Sequence, residues 1–309
     1  MVRGTTEESD SMAENHSISA RIETAFFMGM SRIFCALGMK RARATGRFLG
    51  RFFYTFIPIR KGNVIRGLTR AFPDYDAERI DRIARGVFEN FGITLFEMFC
   101  YPLYNKNPEQ YCSIENPGLI REIYNRNRGA IGMTAHFGSW EWACTSTFYS
   151  MQDVTMGALS KTQKNKLLSA WIDSQRGFHG LKIIPTGITV KEAYKALLDK
   201  NVILVAADQR GPKEGLHVKM FGIDTPFQVG SATLSSKLGV PVFFFLAIRQ
   251  PDDNYRIIAG EIETGDIPKG SPEAIRIINQ RYAEKMEHYL RLYPEQWLWL
   301  HEIWKNVPG

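Results

Sequence analysis

From Ala130 onward the chain alternates short apolar runs with segments of helical period, and few folds accommodate that order. Residues 130–135, 155–159, 182–185, 202–207, 240–248 and 255–261 read as strands. Between them helices are expected from about Ser139, through Trp171 to Arg176, over 191–198 and over 230–238, with a final helix over 272–292. Strands joined by crossover helices build a sheet covered on both faces. The fold class is therefore α/β, a mostly parallel central sheet flanked by helices. Ligands of such sheets bind beyond the C-terminal ends of the strands, which singles out the residues after Ala135, Leu159 and Ala207.

Upstream the pattern changes. Residues 1–17 are polar and expected to be disordered. Residues 18–39 carry Ile22, Ala25, Phe26, Met30, Ile33, Phe34 and Leu37 at helical spacing, interrupted by Glu23 and Arg32. The charge-free run between those interruptions is far too short to span a bilayer, and an Arg near the centre of a spanning helix costs about 2.5–3.5 kcal/mol. A second apolar stretch, 48–59, contains Arg51. Between Arg21 and Arg70 stand eleven Lys/Arg against the single acid Glu23, so the net charge of +7 resides in this segment. Residues 18–70 are expected to form a basic amphipathic helical segment lying on a membrane surface. A helical hairpin packed on the protein's own core is the alternative. A nucleic-acid arm is disfavoured, and no nucleic-acid partner is expected. A helix over 77–99 should follow Pro73-Asp74. The organisation is then 1–17 disordered, 18–70 membrane-associating and 71–309 catalytic.

Cys35, Cys100, Cys112 and Cys144 show no zinc or C-x-x-C spacing and read as free thiols of a reducing compartment. The first twenty residues lack a secretory signal, so the catalytic part is expected to face the cytoplasm. P-loop, G-x-G-x-x-G, H-E-x-x-H and G-x-S-x-G patterns are all missing, and neither metal nor cofactor is expected.

The most informative stretch is Ala135-His136-Phe137-Gly138-Ser139-Trp140-Glu141. It follows a strand, turns at a glycine and enters a helix for which Ser139 is a reasonable N-cap. Glu141 then lies in the first helical turn, where the helix dipole favours its ionised form. A carboxylate beside an imidazole fixes the tautomer, so that the outer nitrogen can take a proton from a hydroxyl. Backbone N–H groups at the helix start can face developing negative charge.

Further blocks follow in order: Lys161-x3-Asn165 with Arg176, Asp208-Gln209-Arg210-Gly211-Pro212, Met220-Phe221-Gly222 through Thr225-Pro226 to Gly239-Val240-Pro241-Val242, and Pro294-Glu295-Gln296-Trp297-Leu298-Trp299-Leu300-His301. Together with His136-x4-Glu141, these resemble the lipid A biosynthesis acyltransferases, the late lauroyl and myristoyl transferases within the lysophospholipid and glycerophosphate acyltransferase superfamily. The resemblance covers nearly the whole chain after the polar N-terminus and implies a glycerolipid acyltransferase-like fold. It departs where the family often has Arg-Pro and this chain has Ser160-Lys161-Thr162, and where the family has a more apolar N-terminal anchor.

The resemblance implies His136 as general base on an acceptor hydroxyl with Glu141 orienting it. Lys161, Asn165, Arg176, Asp208, Gln209 and Arg210 are implied as substrate-binding residues. Arg176 would hold an acceptor phosphate or the donor's phosphopantetheine, and Asp208 a substrate hydroxyl or Arg176. His301, Trp297 and Trp299 are expected to pack the C-terminus. The implied reaction moves a fatty acyl group from acyl carrier protein or acyl-CoA to a hydroxyl of a lipid A precursor or related glycolipid, at the cytoplasmic face of the inner membrane. A membrane-associated thioesterase or esterase, or a non-catalytic lipid-binding protein, would use the same scaffold.

Overall fold

The computed structural model describes residues 17–57, 59–126, 129–186, 189–268, 270–305 and 307. The segment expected to be disordered lies outside these residues except for Ser17, whose hydroxyl caps the first helix. The helices α1 (Ile18–Leu37), α2 (Met39–Phe56), α3 (Lys61–Ala71), α4 (Ala77–Phe99) and α5 (Tyr101–Tyr104) lead into strand β1 (Cys112–Ile114) and α6 (Pro117–Asn125). The body continues β2 (Ala130–Thr134), α7 (Trp140–Tyr149), β3 (Met156–Ser160), α8 (Lys166–Arg176), β4 (Lys182–Pro185), α9 (Thr189–Leu198) and β5 (Val202–Ala206). A hairpin, β6 (His217–Met220) with β7 (Ile223–Pro226), precedes α10 (Gly230–Leu238), β8 (Val242–Arg249), β9 (Tyr255–Ile262) and α11 (Pro272–Leu292).

Seven strands form one sheet in the order β1-β9-β8-β2-β5-β3-β4. All neighbouring pairs are parallel except β8 with β9. Strands β2 and β8 are buried along almost their whole length, which is why they read as continuous apolar runs and not as an alternation. One apolar cluster centred on Phe244, Tyr282 and Trp297 fills one face. A second, centred on Trp142, Phe243 and Phe245, fills the other. The small antiparallel hairpin and the short strand β1 carry too few residues to announce themselves by period, and the sequence reading omits them.

The N-terminal helices pack on this body. Backbones of α2 and α4 approach so closely that a Cβ on Gly46 would collide with the Gly92 carbonyl, and one on Gly92 with that of Gly46. Helix α1 lies against α4 and α8, with Phe27 touching the rings of Phe99 and Trp171. Much of the basic charge of α2 points inward or is paired. Arg43 is buried against Glu97 at 2.8 Å, Arg47 bonds Asp253, and Arg51 bonds Glu89. The outward faces of α1 and α2 instead expose Ile18, Ile22, Phe26 and Ile33, and Phe48, Phe52 and Phe56. No helix among the described residues is long and apolar enough to cross a membrane.

Candidate active site

Strand β2 pairs with β5 so that Thr134 faces Ala206. Two residues further along each chain come His136 and Asp208, and the register carries them to the same point beyond the C-terminal strand ends. His136 Nδ1 lies 2.7 Å from Asp208 Oδ1. The other carboxylate oxygen of Asp208 accepts the His136 backbone N–H at 2.8 Å and the Trp297 indole N–H at 2.8 Å. Asp208 is thus buried with three donors around it. Burial alone would raise its pKa, but His136 and these hydrogen bonds hold it below the ordinary carboxylate value. Burial would likewise lower the His136 pKa, yet the Asp208 charge and hydrogen bond, with a smaller contribution from Glu141, raise it. The carboxylate fixes Nδ1 as the protonated nitrogen, which leaves Nε2 as the basic one. With the side chain 22% exposed, the ring is reachable from solvent.

The turn after β2 explains the placement. Gly138 has φ +54°, and a Cβ there would collide with the carbonyl oxygen of Ala247 on β8. The segment at residues 296–298 runs beside this turn. Gly138 N donates to Gln296 O at 2.8 Å, Leu298 N donates to His136 O at 3.0 Å, and Phe137 bridges Trp297. Thr94 of α4 closes the other side by donating to Gly138 O at 2.9 Å. The C-terminal block therefore holds the turn that carries His136 as well as packing the terminus.

Glu141 takes a different partner from the one expected. Entering α7, it points toward the end of α8, where Arg176 Nε and Nη2 donate to its two oxygens at 2.8 and 2.7 Å. The Tyr101 hydroxyl adds a third bond at 2.6 Å. The imidazole is therefore oriented by Asp208, and Glu141 acts on it only through its nearby charge. The physical reason lies in direction. The strand register delivers Asp208 beside Nδ1, whereas the helical turn carries Glu141 away toward α8. Burial pushes the Glu141 pKa up, but the Arg176 guanidinium, Tyr101 and His136 together hold it below the ordinary value. Arg176 also bonds Ser160 Oγ at 2.7 Å and Asp173 at 3.0 Å. Its planar fork is engaged with Glu141, in place of the phosphate expected there.

The remaining candidates disperse. Lys161 is exposed just beyond β3. Asn165 caps α8 through Leu168 N, and its amide donates to Ala20 O, Glu23 and Thr24 Oγ1, so it fastens α1 to α8. Gln209 is exposed. Arg210 bonds Glu302 O at 3.0 Å, and its backbone N–H donates to His301 Nε2 at 3.4 Å. Sequence reasoning missed Tyr101 and gave Trp297 only a packing role; an indole two residues from Trp299 carries no mark of its hydrogen bond. Among the described residues no group of His, Cys, Asp and Glu is arranged to hold a metal ion.

A strand-end imidazole, oriented through Nδ1 by a buried carboxylate and followed by a helix N-terminus, defines an α/β protein equipped for proton abstraction from a hydroxyl. Comparison with known sequences makes this specific: a family model, the bacterial lipid A biosynthesis acyltransferases, matches residues 14–306, and the chain belongs to that acyltransferase family. It is 23% identical over 266 residues to the lipid A biosynthesis lauroyltransferase of Escherichia coli K12, covering 84% of each chain. It is 22% identical over 270 residues to the lipid A biosynthesis palmitoleoyltransferase of the same strain and, separately, to the lipid A biosynthesis acyltransferase of Shigella flexneri. Each of these two matches covers 85% of this chain and 84% of the relative.

Proposed function

We propose that this protein transfers a fatty acyl group from acyl carrier protein or acyl-CoA to a hydroxyl of a lipid A precursor or related glycolipid, at the cytoplasmic face of the inner membrane. His136 Nε2 takes the proton of the acceptor hydroxyl while Asp208 stabilises the imidazolium that forms. The alkoxide-like oxygen attacks the thioester carbonyl of the donor. The tetrahedral oxyanion is met by backbone N–H groups at the start of α7. Collapse expels the thiolate, which takes the proton from His136 and leaves the new ester on the acceptor. The Glu141–Arg176 pair forms the wall beside the base.

One observation carries this reading: the His136–Asp208 hydrogen bond stands at the strand ends of a chain belonging to this family. The exposed apolar faces of α1 and α2 support a membrane setting, because lipid acceptors reside there. The decisive experiment is acyl transfer from labelled acyl carrier protein to a total membrane-lipid extract, wild type beside His136→Ala, with mass spectrometry of the product. An acylated glycolipid formed by wild type and lost in the variant is the expected result. Free fatty acid released without ester formation would replace the transferase reading with a thioesterase. No turnover of the donor by wild type, with acyl-CoA substituted for acyl carrier protein as well, would leave lipid binding as the better account.

A further inference from the structure

Arg176, expected to hold a substrate phosphate, is engaged by Glu141, and the chain carries further cations suited to receive one. Such cations surround a cavity of about 210 Å³ between α3 and the C-terminal segment, lined in part by Asn63, Arg66, Arg70, Trp299, His301 and Lys305. Its walls are fixed. Trp299 Nε1 donates to Pro294 O at 2.7 Å and Trp304 Nε1 to Thr225 Oγ1 at 2.8 Å. Arg70 Nη1 donates to Val307 O at 3.1 Å, with its guanidinium over the Trp304 ring. Arg66 reaches Asn63 Oδ1 at 2.6 Å and Glu302 Oε1 at 2.9 Å. Arg66 is largely exposed in that pair, and exposed pairs contribute little, so an incoming anion can share Arg66 at little cost. Among the described residues of the lining, Glu302 is the one acid against Arg66, Arg70 and Lys305.

The cavity adjoins the base. His301 accepts the Arg210 backbone N–H at 3.4 Å, two residues from Asp208. Arg60, bonded to Leu300 O at 3.0 Å, stands on the α3 side of the same imidazole. Burial holds the His301 pKa below its ordinary value; Arg210, His136 and Arg60 act in the same direction, and Asp208 opposes them. A second imidazole thus lies between the His136–Asp208 dyad and a cationic cavity. Planar guanidinium forks with an ammonium suit phosphate oxygens.

We propose that this cavity binds a phosphate ester of a substrate, so that the group anchored by Arg66, Arg70 and Lys305 sets the distance to the oxygen or carbonyl reacting at His136. The inference rests on the acyl-transfer reading for the identity of the ligand, but its first test is independent of turnover. The His301 ring is followed by NMR as inorganic phosphate is added to the full chain, with His301→Gln used to assign the resonance. Bound phosphate should raise the His301 titration saturably in wild type and leave it unmoved in the double variant Arg66→Gln/Lys305→Gln. Thermal melts confirm that the double variant is folded, and Arg66→Lys should restore part of the response.

Two further arms separate the sources of the phosphate. If the donor carries it, the double variant raises the KM for S-acyl-4′-phosphopantetheine but not for S-acyl-pantetheine; if the acceptor carries it, the acceptor KM rises about tenfold with either donor. Either result supports the site. An unmoved His301 in wild type overturns the proposal. In that case, loss of the double variant's binding to phosphatidate-containing vesicles would assign these cations to the membrane surface. The acyl-transfer reading fails separately, if His136→Ala keeps activity while phosphate still moves His301.

Discussion

The imidazole of His136 and the carboxylate of Asp208, 72 positions apart in the chain, meet at 2.7 Å through a strand register in which Thr134 opposes Ala206. Neither residue is placed by a local motif. Each lies two residues beyond the end of a parallel strand, and adjacent parallel strands bring such positions together automatically. Asp208 also takes the His136 backbone N–H and the Trp297 indole, so the carboxylate is held before any substrate arrives.

The pH dependence of the chemical step follows from this pair. The base must be neutral, and the His136 pKa is raised above the ordinary imidazole value of about 6.5. The rate should therefore climb with pH and level off only above that value. Asp208→Asn removes the raising charge, so the acid limb should move to lower pH while the plateau falls about 10²- to 10⁴-fold. Single-turnover acyl transfer across pH measures both. A limb that stays in place with a lowered plateau would mean that Asp208 does not act through His136. In stability the sign is opposite. The contribution of a raised His136 is fully present below the unfolded value and is lost as pH rises through the folded one.

Arg176→Ala should behave as a stability variant first. It leaves the buried Glu141 carboxylate without its two guanidinium bonds, at a cost of about 3–5 kcal/mol. Glu141 has a lowered pKa, so the pair's contribution is present above the ordinary carboxylate value and lost as pH falls through the folded one. Urea unfolding of wild type and Arg176→Ala should show a gap at neutral pH that narrows in acid. A gap independent of pH would assign the loss to packing.

Gly138→Ala should lose both stability and activity. The left-handed φ costs about 1 kcal/mol for a residue with a side chain. The collision with the Ala247 carbonyl forces the turn away from β8 as well. Because His136 sits two residues before, the acid limb of the pH profile should broaden or shift in whatever fraction folds. Retention of wild-type rate would show that the imidazole is set by Asp208 alone.

Much of the sheet was legible because β2, β5 and β8 are mostly buried apolar runs bounded by turn residues, and each of these strands is paired in the sheet. His136 and Asp208 were legible as functional candidates by their position at strand ends, and Arg176 by the family resemblance. Their pairing was not. His136-x4-Glu141 lies in one heptapeptide and suggests a local pair, whereas partner choice depends on the order β8-β2-β5-β3, which no single segment encodes. The resemblance implied Asn165 and Arg210 as substrate ligands, and polar side chains in loops carry no sign of what they face. In the folded chain, Asn165 binds α1 and Arg210 binds the C-terminal segment. The basic segment likewise carries no mark of its pairing, and Arg43 and Arg47 are taken up by Glu97 and Asp253.

That internal pairing shapes the last prediction. Membrane attachment through α1 and α2 should depend more on apolar side chains than on charge. Phe48, Phe52 and Phe56 recur every four residues along α2 and are all exposed, and Phe26 is exposed on α1. Burying an apolar side chain of this size contributes about 1.5–3 kcal/mol. Phe52→Ser/Phe56→Ser should therefore lower partitioning onto vesicles by at least about tenfold, with 1.4 kcal/mol equal to one decade. Stability should move by no more than about 0.5 kcal/mol per site, because neither ring packs on the core. Raising salt to 0.5 M should weaken wild-type binding less than the double substitution does. Co-sedimentation with vesicles of mixed zwitterionic and anionic lipid reads all three. Binding that survives the substitutions but collapses in salt would transfer the attachment to the remaining exposed cations.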